Sequence, residues 1–267
     1  MGVFMDARDR LFHPVPLPAD RYDRGFFLAL SALLAFTGVC YWSLSAYWRV
    51  QWFAGEDGLT EWASTAMYVG AAAMAALGAR LLAQSGRPRL ALAHGALVAV
   101  LALVALEELS WGQRLFGWST PEGLGRVNEQ NETNLHNIAI FERAFYTMLL
   151  WACLLGVLGA IARALPQRHG RATAADFLLP SPALAPSLAL VAIFVGEGAA
   201  FEAVQDAFPS RPPGTELQEL ILGLALLFYT ASNLKRAAEL RRCRRQFVAA
   251  PARAGDLAPD PAEAPDA

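Results

Sequence analysis

Residues 25–48 include no charged side chain, and a helix of about 20 apolar residues is what it takes to cross a hydrocarbon core of roughly 30 Å. That run predicts a membrane span, and the pattern recurs. Stretches of comparable character cover 59–84, 90–116, 142–163, 178–201 and 215–234, so the expected fold is all-α, a polytopic integral membrane bundle of six helices. Composition agrees: 55% hydrophobic against 17% charged residues lies well above the usual soluble mixture. Residues 1–24 carry Asp6, Arg8, Asp9, Arg10, Asp20, Arg21, Asp23 and Arg24, too polar for the start of a cleavable signal, and the first span is therefore expected to be retained. The transmembrane domain is expected over 25–236. The tail, 237–267, begins basic and ends in a Pro, Ala and Asp composition that predicts disorder.

Punctuation inside this plan comes from Gly and Pro. Ser85-Gly86-Arg87-Pro88-Arg89 stops one helix and starts the next, while Pro180, Pro182 and Pro186 delay a regular fifth helix until near Pro186. The third helix is expected to continue through Glu-Glu-Leu-Ser-Trp-Gly-Gln-Arg at 107–114. A new helix is expected after Thr120, whose side chain can cap, with Pro121 suited to the first helical position. The Ala and Gly content of 59–84 predicts close approach by a neighbouring helix.

The 22 Lys and Arg nearly balance the 24 Asp and Glu, so no global field recruits nucleic acid. Their distribution says more. Basic residues gather at Arg87 and Arg89, at Arg163, Arg168 and Arg171, and from Lys235 to Arg245, and the excess of Lys and Arg in cytoplasmic loops places both termini inside. The expected home is the plasma membrane, the inner membrane in a bacterium. The remaining connections then face outward with Glu61, Glu107, Glu108, Glu132, His136 and most other unexplained carboxylates. Membrane lipids are the expected partners, and the basic tail suits anionic headgroups. Cys40, Cys153 and Cys243 form neither a disulfide framework nor a cysteine zinc spacing.

Polar groups at the edge of a hydrocarbon layer are costly unless paired with one another, a metal or a substrate, which makes 107–137 the expected site. If its second half is helical, Glu132 and His136 share a face with Glu129. With Glu61, Glu107 or Glu108 from other helices, Glu132 and His136 would make a divalent metal site. The alternative is a solvated loop rich in Asn and Thr caps. On the preceding helix Glu107, Ser110 and Arg114 would share a face. Arg114 then either pairs with Glu107 or clamps an anionic substrate group, leaving Glu108 as ligand or general base. Trp111, Gln113, Asn134 and Asn137 complete the expected substrate-binding set, the Trp111 and Trp118 rings serving otherwise as interfacial anchors. Glu197, inside the fifth span, is an ionisable group at membrane depth and hence a functional candidate, with an interhelical hydrogen bond as its structural alternative. His94 is expected to be an interhelical hydrogen bonder.

Glu61-Trp62-Ala63-Ser64-Thr65, preceded by Glu56-Asp57, resembles the acidic, E-aromatic-x-N-T segment that opens the alkaline ceramidase family of membrane-embedded hydrolases. The resemblance implies a metal-dependent amidase or lipid hydrolase with its site within the bundle. It is confined to that stretch. The zinc-binding histidines of the family have no counterparts here, since the position at matching spacing after Ser110 is Arg114 and no His pair lies near the last span. The functional expectation is a membrane enzyme acting on a lipid or lipid-linked substrate. A transporter or ion-coupled carrier, in which Glu197 and Glu61 titrate, and a non-enzymatic accessory or assembly subunit are the alternatives.

Overall fold

A computed structural model describes residues 58–128, 130–164, 174–202 and 215–255, with Gly25 and Ala29 as isolated positions. The first expected span therefore lies outside the described residues, apart from those two positions. The described residues are mostly helical, with no strand among them. Helix α1 is Leu59–Gln84 and α2 is Pro88–Glu108. A 3-10 turn, Ser110–Gly112, leads into the short α3, Gln113–Phe116, and α4, Glu122–Gly125, follows. Helix α5 is Ala139–Ala164, α6 is Ala175–Leu178, a second 3-10 turn is Pro182–Leu184, α7 is Ala185–Glu202 and α8 is Thr215–Gly255. Among the described residues, four segments are long and apolar enough to cross a bilayer: Leu59–Gln84, Pro88–Glu108, Ala139–Ala164 and Ala175–Gly196. Much of their apolar surface faces outward, away from the other helices. Leu92, Val100 and Leu103 on α2, and Ile140, Met148, Trp151, Leu155 and Leu158 on α5, are all exposed.

Helix α8 is the hub. Its Ile221, Leu224 and Ala225 pack with Cys153 of α5 and Leu188, Val191 and Val195 of α7. Leu222, Leu226 and Leu227 turn the other way, onto Tyr68, Ala71 and Ala75 of α1 and Leu101 and Ala105 of α2. Small residues set these distances, as the sequence predicted for α1. A Cβ on Gly223 would lie 3.2 Å from the Met67 side chain, and one on Gly78 would lie 3.8 Å from the Leu234 backbone. Both contacts advance in the same direction along α1 and α8, so these helices run parallel. Helix α5 runs against α7, because Gly156 meets Leu188 while Gly159 meets Leu179 and Pro180.

The turn between α1 and α2 works as read from the sequence. Gly86 takes φ 73°, Pro88 opens α2, and Arg244 of α8 donates to the Gln84 carbonyl at 3.0 Å. The fifth span is interrupted where its prolines predicted, and α7 begins at Ala185. Carbonyls freed by the break are taken up by neighbours, as buried backbone polar groups require. Tyr229 donates to Phe177 and Leu178, Asn233 to Phe177, Arg236 to Asp176 and Arg163 to Leu179. The sixth stretch does not end with its apolar half. Helix α8 continues unbroken for 41 residues, about 60 Å at 1.5 Å per residue and roughly twice a hydrocarbon core.

Candidate functional site

Because α1 starts where α2 ends, Glu61 in the first turn of α1 meets the last turn of α2. The expectation that α2 continues through 107–114 is corrected here: it stops at Glu108, and Ser110, Trp111 and Gly112 take φ values of 48°, 56° and 96°. Two successive side-chain-bearing residues in the left-handed region cost about 1–2 kcal/mol each, a cost tolerated only where surrounding contacts fix the conformation. Those contacts are visible. Trp111 Nε1 donates to Glu107 Oε1 at 2.6 Å. Gly112 sits against the stacked rings of Phe116 and Trp118, so that an added Cβ would lie 3.1 Å from Trp118.

The break removes the helical face that Glu107, Ser110 and Arg114 were expected to share. Arg114 turns away from Glu107 and forks between Glu61, at 2.5 Å, and Glu132, at 2.8 Å, its side chain only 7% exposed. It is held between two carboxylates of the protein itself, which argues for a structural clasp over an open anion clamp. The second oxygen of Glu132 accepts from Ser110 Oγ at 2.7 Å and from Asn134 Nδ2 at 2.8 Å.

The segment after α4 is not the helix that would align Glu132 with His136. It is a loop, shaped from within by Asn128. The Asn128 side-chain oxygen Oδ1 accepts the backbone N–H groups of Gln130 and Glu132, both at 3.0 Å, and its side-chain Nδ2 donates to the side-chain and backbone oxygens of Asn134. Asn137 bonds Gln130. Thr120 does not cap α4. Its hydroxyl donates to the Asn131 carbonyl at 2.5 Å and accepts from Gln113 Nε2, whose other end accepts the Thr133 N–H at 2.6 Å. Neither Asn128 nor the Thr120–Gln113 link was singled out by sequence reasoning. The density of Asn and Thr, read there as generic caps, was the available signal.

Glu107 ties this loop to α2. Its Oε2 accepts the N–H groups of Leu135, at 2.7 Å, and His136, at 3.1 Å, and lies 3.4 Å from His136 Nδ1. Burial alone would lower the affinity of His136 for a proton. The hydrogen bond to Glu107 and the charges of Glu108, Glu107 and Glu132 outweigh it, and the net effect raises the pKa above its ordinary value.

Glu108 stands apart. It is buried, 8% exposed, in the field of His136, Glu61, Arg114 and Glu107, yet its carboxylate makes no hydrogen bond among the described residues. The Thr133 hydroxyl is fully buried, without a hydrogen-bond partner among them. The expected metal set does not assemble as one group. Glu61 and Glu132 flank Arg114 whereas His136 faces Glu107, and no cluster of three or more His, Cys, Asp or Glu among the described residues has the arrangement to hold a metal ion. Glu129 lies outside the described residues, as does the Glu197 side chain, although Glu197 itself falls within α7. His94 is buried on α2, bonded through Nδ1 to its own Leu90 carbonyl at 3.0 Å and set edge-on to Phe177. It is a local hydrogen bonder, not the interhelical one expected.

These features define an all-helical protein with several membrane-length apolar segments and a buried, largely self-paired polar cluster at one end of its bundle. No known protein family, curated protein or solved structure matches the chain.

Proposed function

We propose that this chain is a six-span membrane enzyme of the plasma membrane, the inner membrane in a bacterium, with both termini in the cytoplasm and its site at the outer face. It acts on a lipid or lipid-linked substrate. Glu108 takes a proton from a hydroxyl group or water, and His136 beside it responds to that change of charge. The observation that carries the reading is the bare carboxylate: Glu61, Glu107 and Glu132 are each engaged by donors of the protein, while Glu108 is not. An acid that no protein donor engages, beside three carboxylates that are engaged, is a candidate for meeting a substrate. The parallel course of α1 and α8 supports the topology, since the second and sixth of six spans must run the same way. So does the position of Arg244 beside the far end of α1, opposite the carboxylates.

The test is a lipid assay. Purified protein in nanodiscs made from the polar lipids of its own host membrane is incubated, and the lipids are compared by mass spectrometry before and after. We expect one lipid class to be consumed, and Glu108→Gln to slow that consumption by about 10²- to 10⁴-fold. A wild-type protein that changes no lipid class, or a Glu108→Gln variant as fast as wild type, overturns the proposal.

A further inference from the structure

Residues 110–118 are built inside out. Ser110 is fully buried and Arg114 nearly so, and Gln113 turns inward to Thr120 and the Thr133 N–H. Trp111, Leu115, Phe116 and Trp118 are exposed, Phe116 at 75%. A loop surrounded by water gains nothing from that arrangement, because apolar area would be left in contact with water while polar groups are withdrawn from it. The arrangement is favourable where the surroundings are themselves apolar. In the chain this edge follows Leu103 and Leu106 of α2, which are exposed as well. Its aromatic rings are of the type enriched where hydrocarbon meets headgroups.

We propose that 110–118 is a re-entrant element lying in the membrane interface, with its aromatic edge against the acyl chains of the leaflet around this end of the bundle. The polar cluster behind it is thereby sunk below the headgroup plane and is reached sideways from that leaflet. The ligand that fits is an amphiphile whose polar head enters past the 110–118 edge while its chains stay in lipid. Only this last step rests on the enzyme reading above; the depth of the element stands without it.

Depth is measured directly. Protein is reconstituted in phosphatidylcholine vesicles carrying bromine on the acyl chains, and the emission due to Trp118 is taken as the difference between wild type and Trp118→Phe. We expect bromolipid to remove most of that difference signal and aqueous iodide to leave it nearly unchanged; quenching by iodide and not by bromolipid overturns the proposal. Phe116→Cys, in a chain with Cys40, Cys153 and Cys243 replaced, carries a nitroxide for an independent reading. Collisions with dissolved oxygen should exceed those with a water-soluble nickel chelate, and the reverse order overturns the proposal. A protein that passes both tests yet changes no lipid in the nanodisc assay retains the embedded element and loses the enzyme reading, so the two fail separately.

Discussion

Replacing Arg114 with Met tests whether the cluster is held together by its fork. The guanidinium bridges Glu61 and Glu132 at 2.5 and 2.8 Å, and the three side chains are 7%, 13% and 15% exposed, so screening by water is slight. Removing one partner of a buried pair costs about 3–5 kcal/mol, because the charge left behind is uncompensated. For a chain of this size each kcal/mol moves the midpoint by about 2–4 °C, which gives a fall of roughly 6–20 °C. Arg114→Lys keeps the charge but cannot reach both carboxylates with one planar group, and should lose about 1–3 kcal/mol. The decisive variant combines Arg114→Met with Glu61→Gln and Glu132→Gln. A buried ion network replaced as a whole is often near neutral, so this variant should recover to within about 1–2 kcal/mol of wild type. Midpoints are read from the fluorescence of purified protein heated in detergent. A loss below about 1 kcal/mol for Arg114→Met, the range of exposed pairs, or a triple variant no more stable than the single one, refutes the reasoning.

His136 predicts a pH slope. Its pKa is raised in the folded protein from an ordinary value of 6.5, so its contribution to stability is complete below that value and fades as pH climbs through the higher folded value. Midpoints measured from about pH 5 to about pH 9 should decline across that window, and His136→Gln should flatten the decline. Gly112→Ala places a side chain at φ 96° and within 3.1 Å of the Trp118 ring, a cost of about 1–2 kcal/mol or more, visible as a lower midpoint with altered tryptophan emission. Gly156→Val pushes against Leu188, 2.9 Å from the position of an added Cβ. It should loosen the α5–α7 contact by about 1–3 kcal/mol, measurable as a lower midpoint.

What was legible in the sequence followed from rules that tertiary structure does not override. A bilayer demands length, so the described apolar runs emerge as helices that begin near the expected positions. Proline lacks an N–H, so the fifth span breaks before Ala185. The end of α2 at Glu108 was not legible, because nothing local disfavours helix at Leu109 or Ser110. The left-handed turn there is imposed by the Glu107–Trp111 bond and by the packing of Phe116 and Trp118 on Gly112. The break also changes the partners of Arg114, which a continuous helix would set on one face with Glu107 and which instead meets Glu61 and Glu132. The continuation of α8 past Leu234 was hidden for a different reason. The change from apolar to basic residues ends a membrane run, but Lys, Arg, Ala, Glu and Leu are good helix formers and the helix has no cause to stop.

Glu108 sits in the last turn of α2, where the partial charge of the helix end is negative and a carboxylate is unfavourable. Glu107, one residue earlier, bears the same disadvantage but is compensated by the N–H groups of Leu135 and His136 and by the Trp111 indole. No comparable donor reaches Glu108 among the described residues; burial, the largest effect, and the like charges of Glu61 and Glu107 work against its charged form and outweigh the opposite charges of His136 and Arg114. Folding alone would favour a neutral side chain of the same shape. Glu108→Gln should therefore be at least as stable as wild type, and more stable by about 0.5–2 kcal/mol if the acid is retained for function at the expense of stability. Thermal midpoints taken alongside the lipid assay decide the matter. A Glu108→Gln protein less stable than wild type by more than about 1 kcal/mol would mean that the carboxylate makes a supporting interaction of ordinary strength, and its candidacy as the proton acceptor would lose the argument that sets it apart from its neighbours.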